Sequence, residues 1–132
     1  MRSMLAAGLL TALGFLDAAA AGEPLVGKWR IEHVRGGDSF DAAKTLFEPT
    51  ADGRVSSTVG CNRIVSKPSV EGDRLRFGPM AATRMACPPP LDQLETAYIA
   101  ALDAVRSWRI EGTRLTLLDE RGDAAVALVR SE

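Results

Sequence analysis

Two cysteines, one histidine and a scatter of carboxylates and arginines are the residues of this 132-residue chain from which chemistry could be built. His33 is the only histidine, so a zinc site with two or three imidazole ligands is excluded. No run of acidic residues offers the ladder of oxygens that Ca²⁺ requires. The chain holds no G-x-S-x-G, H-E-x-x-H, Walker or G-x-G-x-x-G sequence. Asp92, Glu95 and Asp103 fall on one predicted helix and could share acid-base work, but a solvated helix face is the simpler reading. Arg63, Lys67, Arg74 and Arg76 could form a basic patch for a carboxylate- or phosphate-bearing partner. Solvation and protection of sheet edges account for them more simply. No catalytic residue, cofactor site or metal site is assigned from the sequence.

Cys61 and Cys87 are the only cysteines. They are not in a C-x-x-C arrangement, which argues against a redox couple, and an exported chain would reach a compartment where a disulfide persists. Pairing is the simple reading; free buried thiols or a regulatory bond are the alternatives. Cys61 sits in Gly60-Cys61-Asn62, where glycine and asparagine both tolerate left-handed backbone angles and so permit a tight turn. Cys87 closes Met80-Ala81-Ala82-Thr83-Arg84-Met85-Ala86-Cys87, an apolar extended stretch.

The elements that must position these residues follow from periodicity. Apolar and polar residues alternate in Lys28–Glu32, placing Trp29 and Ile31 on one face, and Val34 then falls out of phase, as at a bulge. Thr45–Glu48 and Arg54–Val59 flank an Asp52-Gly53 turn and read as a hairpin. Ile64–Val70, Arg74–Gly78 and Ala81–Ala86 follow as strands. Ser107–Ile110, Arg114–Leu118 and Ala124–Arg130 read as a closing meander. Between the two groups, Leu91, Leu94, Tyr98, Ile99, Leu102 and Val105 recur at three and four residues after Pro88-Pro89-Pro90, which predicts one helix over Leu91–Val105. Strands, a helix and more strands without βαβ alternation give an α+β class: a small antiparallel sheet, strongly curled or barrel-like, with one covering helix. Trp29, Phe47, Leu75, Phe77, Met85, Trp108 and Leu117 are expected to fill its interior, leaving room for a carried ligand only if a cavity of about 300 Å³ or more remains.

Residues 1–21 carry Arg2, an apolar stretch from Leu5 to Leu16, and Ala19-Ala20-Ala21. This is the layout of a cleavable export signal, too short to span a bilayer, so residues 22–132 are expected as the mature domain, periodic in its β pattern, with no stable membrane anchor after cleavage. Loss of Arg2 and Asp17 would leave the net charge at −1. That balance argues against a nucleic-acid partner.

The domain resembles the META domain family, also called the HslJ family of bacterial envelope proteins. The resemblance rests on Leu25-Val26-Gly27-Lys28-Trp29, Ala51-Asp52-Gly53-Arg54-Val55, Gly60-Cys61-Asn62, the Phe77–Cys87 stretch with Thr83 and Met85, Glu95 in the following helix, and Leu115-Thr116-Leu117. It implies a small α+β domain, a periplasmic or secreted location, and an association with heat or antibiotic stress. Trp29, Gly60, Asn62, Thr83, Met85 and Glu95 become structural motif residues. The function expected is that of a non-enzymatic envelope protein that binds an unidentified envelope partner or maintains the envelope under stress. Small-ligand carriage in a β-barrel and an uncharacterised hydrolase are the alternatives.

Overall fold

A computed structural model describes residues 22–131; the expected export signal over residues 1–21 lies outside them. Ten strands form one antiparallel sheet: β1 Trp29–Val34, β2 Leu46–Pro49, β3 Val55–Thr58, β4 Ile64–Ser66, β5 Ser69–Glu71, β6 Arg74–Arg76, β7 Met80–Ala82, β8 Ser107–Glu111, β9 Arg114–Leu118 and β10 Ala124–Arg130. One helix, α1 Leu91–Ala104, separates β7 from β8. The sheet order is β5-β6-β8-β9-β10-β1-β2-β3-β4-β7.

This order forces the sheet to curl. β4 and β5 stand eight strand positions apart, roughly 38 Å in a flat sheet. Only Lys67 and Pro68 join them, a span of at most about 11 Å. β6 and β7 are also eight positions apart and are joined by three residues, Phe77, Gly78 and Pro79. Two short connections therefore draw the sheet ends together, and the α+β class with a curled half-barrel sheet is the fold observed.

Where strands were expected, two differ. The single strand foreseen over Ile64–Val70 is split into β4 and β5 at Lys67-Pro68, because proline has no amide for the ladder and the chain there changes neighbours. The strand foreseen over Ala81–Ala86 ends at Ala82, because the Met85 amide bonds the Asn62 side chain instead of a strand. The irregularity expected near Val34 is a bulge between Ile31 and His33 opposite β10. It restores Val34 to the buried face.

Helix α1 runs one residue short of the expected Val105, which caps it. Leu94, Tyr98, Ala101 and Leu102 are buried with Trp29, Ile31, Phe47, Phe77, Leu115, Leu117 and Leu128 in one core. Met85 does not join that core: it is 57% exposed. Trp108 is only partly buried and packs at the core's margin, where its indole N–H donates to the Gly72 carbonyl at 3.1 Å. Among the described residues no helix is long and apolar enough to cross a membrane.

Candidate functional site

The Gly60-Cys61-Asn62 turn, the stretch Thr83–Cys87 and helix α1 converge on one side chain. Asn62 is 5% exposed. Its Oδ1 accepts from the Met85 amide at 2.8 Å and from the Thr83 hydroxyl at 2.9 Å. Its Nδ2 donates to Glu95 Oε2 at 2.8 Å and to the Met85 carbonyl at 3.3 Å. The other Glu95 oxygen accepts from the Asn62 amide at 3.0 Å, and Thr83 Oγ1 also accepts from the Arg63 amide. Cys61 and Cys87 close the same knot as a disulfide, with Cα atoms 6.0 Å apart.

The Asn62 amide thus uses both acceptor positions and both donor hydrogens, the full capacity of an asparagine side chain. Left-handed geometry resides in Gly60, at φ +126°, while among the described residues no non-glycine residue has positive φ. Asn62 is therefore used for its side-chain amide and not, as the sequence suggested, for its backbone freedom. Glu95 is likewise not part of a solvated helix face, since its carboxylate is committed to Asn62. Asp92 and Asp103 do lie exposed. Met85 contributes its main chain to the knot while its side chain points away from the core.

Cys61 Sγ, Cys87 Sγ and a Glu95 oxygen lie within 4.8 Å of one another, a spacing that could suit a metal. The sulfurs are bonded to each other and the carboxylate to Asn62. Cysteine sulfur binds a metal as the thiolate, so this chemistry is closed while the disulfide stands.

A second knot surrounds Trp29. Its indole N–H donates to the Leu25 carbonyl at 2.8 Å, and the Arg130 guanidinium lies 3.9 Å over its ring, a cation–π arrangement. Arg130 also donates to the Val26 and Pro24 carbonyls. Gly27 adopts φ +134°, and a Cβ there would lie 2.5 Å from Arg130 Nη1. Together these contacts strap the 3-10 turn Glu23–Leu25 against the sheet.

That turn forms one wall of a cleft of about 310 Å³. Leu25, Val26, Phe47, Val55, Val70 and Phe77 are among its apolar lining, and Glu23 and Arg54 are its charged residues. Arg54 is exposed and paired with Asp52 at 3.8 Å. The Tyr98 phenol, buried without a hydrogen-bond partner among the described residues, does not line the cleft. Burial pushes its pKa far above the ordinary value, so it stays neutral.

Residues 23–132 match the family model of the META domain. The chain belongs to the META domain family. In fold it is similar to the NMR structure of a protein from Burkholderia xenovorans, with 22% identity, a TM-score of 0.63, and coverage of 92% of this chain and 99% of that one. It is also similar to the crystal structure of a duf4847 family protein from Bacteroides vulgatus, with 14% identity, a TM-score of 0.55, and coverage of 80% and 92%. At such identities the likeness is one of fold. No curated protein gives a significant match.

Among the expected motif residues of this META domain, Gly60, Asn62, Thr83, Met85 and Glu95 are gathered with both cysteines, whereas Trp29 belongs to the separate Arg130 knot. His33 is exposed beside the β1 bulge. The four basic residues do not gather as one patch. Arg74 and Arg76 share a depression with Arg106; Lys67 lies against the Gly53 turn, and the Arg63 main chain bonds Thr83. Sequence reading missed the cleft because its walls come from separate segments, each of which looks like ordinary strand alternation.

Proposed function

We propose that this META domain is an exported, non-enzymatic binding module that takes a small apolar molecule into the cleft beneath the Glu23–Leu25 turn. The observation that carries this reading is the cleft itself. Its volume of about 310 Å³ reaches the lower end of the range for ligand pockets, about 300 to 1,000 Å³, which are mostly apolar with a few polar groups at fixed positions. Here the charges are Glu23 and Arg54, both exposed. Among the described residues no nucleophile–base pair lines it, so the cleft is suited to holding a molecule and not to transforming one.

The polar motif residues are equally unsuited to catalysis, since Asn62, Thr83 and Glu95 satisfy one another and leave no group aimed at a substrate. The META domain is not a known enzyme family. Export is favoured by the composition of residues 1–21 and by a disulfide that suits an oxidising compartment. Envelope stress as the setting rests on the family resemblance.

The test is titration of the purified protein with the neutral probe N-phenyl-1-naphthylamine. Saturable fluorescence enhancement at one site per chain is expected, lost on Val26→Trp, which fills the cleft from a position already 37% exposed. An unsaturable response, or an unchanged one in Val26→Trp, would overturn the proposal.

A further inference from the structure

We propose that the depression lined by Ser69, Glu71, Arg74, Leu75, Arg76 and Arg106, about 300 Å³ in volume, is a site for a compact phosphate-bearing anion, separate from the apolar cleft. Alternation along β6 buries Leu75 and projects Arg74 and Arg76 from the opposite face. Arg106 is fixed beside them, because its carbonyl accepts the Leu75 amide at 3.0 Å. Its Nη1 donates to the Asp103 carbonyl at 2.9 Å and the Val105 carbonyl at 2.7 Å. That leaves Nε and Nη2 without an intramolecular partner among the described residues.

What sets this cluster apart is grouping. Among the described residues only Arg35, Arg54, Arg109 and Arg114 find a carboxylate within 4.0 Å, so an unpaired arginine is ordinary here, but Arg74, Arg76 and Arg106 line one depression together. Glu71 stands opposite Arg74 across the β5–β6 pair without an ion pair to it. A planar carboxylate is satisfied by one guanidinium fork, whereas a phosphate group presents oxygens in several directions and can engage more than one. Three arginines lining one depression therefore favour phosphate. Ser69, opposite Arg76, adds a neutral donor. Glu71 opposes the anion and limits its affinity.

Inorganic phosphate is the first probe, followed by NMR at the arginine Nε–H groups. Saturable, salt-sensitive shifts are expected at Arg74, Arg76 and Arg106. Arg76→Gln should weaken binding about tenfold, the worth of one charge-assisted contact, and Glu71→Gln should tighten it. Arg109→Gln, outside the depression, should leave it unchanged. Arg76 is exposed, so its replacement does not threaten folding as loss of the Arg106 carbonyl contacts would. Phosphatidic acid vesicles, compared with phosphatidylcholine vesicles, form the second arm. Binding to the former that free phosphate displaces supports a lipid headgroup as the source, while saturable free phosphate without vesicle binding supports a soluble one. Shifts that never saturate, or an Arg109→Gln variant that loses binding as Arg76→Gln does, would overturn the site.

Discussion

Replacement of Asn62 by alanine should cost more stability than removal of any other single polar side chain in this domain. Three of its contacts dominate the sum. The bond from Nδ2 to the Glu95 carboxylate, at 2.8 Å, is worth about 2 kcal/mol as a charge-assisted interaction. Those from the Met85 amide and the Thr83 hydroxyl to Oδ1 are worth about 1 kcal/mol each. Water reaching the part-buried groups offsets some of this, leaving an expected loss of about 3 to 4 kcal/mol, a large share of a small domain's total. Asn62→Asp preserves shape but sets a carboxylate against Glu95. Two such groups in contact cannot both ionise cheaply, so the folded pair binds a proton more readily than the unfolded chain. The variant should therefore be least stable near neutral pH and recover as pH falls into the carboxylate range. Urea unfolding of the oxidised protein, followed by tryptophan fluorescence across this pH range, measures both effects. An Asn62→Ala loss below about 1 kcal/mol at unchanged m-value, or an Asn62→Asp stability indifferent to pH, would refute the hub.

Replacing Cys61 and Cys87 together by serine should lower stability by about 3.5 kcal/mol in the chain-entropy model for a separation of 26 residues, read from the same unfolding curves. Gly27→Ala should destabilise through both its positive φ and the collision with Arg130. In an Arg130→Ala background the steric part should vanish, which a double-mutant cycle detects. Arg35, at 2.7 Å, holds the Asp119 carboxyl down to about 2. Because that value lies below the usual 3.8, the pair stabilises the fold above about pH 4 and loses its effect as pH falls toward 2. Asp119→Asn should flatten acid unfolding across that window.

Alternation located most strands, and three-and-four spacing located α1 almost to its last residue, because both elements bury one face. The phase slip at Val34 even marked the β1 bulge. In Ile64–Val70 the Ser66-Lys67-Pro68-Ser69 interruption was the legible sign of a strand break, but which neighbours the chain takes up after Pro68 depends on sheet closure, a property of the whole order of strands. Met85 looked like core, but its place in the motif comes from its main chain, and no side-chain pattern reports such a role. The cysteine pair was legible from number and from the expectation of export. The commitment of Glu95 to Asn62 was not, since 33 residues separate them and a helical carboxylate ordinarily faces water.

Methyl and backbone-amide NMR during titration with N-phenyl-1-naphthylamine most directly tests the division of this domain into an apolar binding cleft and a purely structural polar knot. The methyl groups of Leu25, Val26, Val55, Val70 and Leu75, which line the cleft, should shift together and saturate, while the signals of Asn62, Thr83 and Glu95 remain in place. Saturable shifts centred on Asn62 and Glu95, with the cleft methyls unmoved, would contradict it.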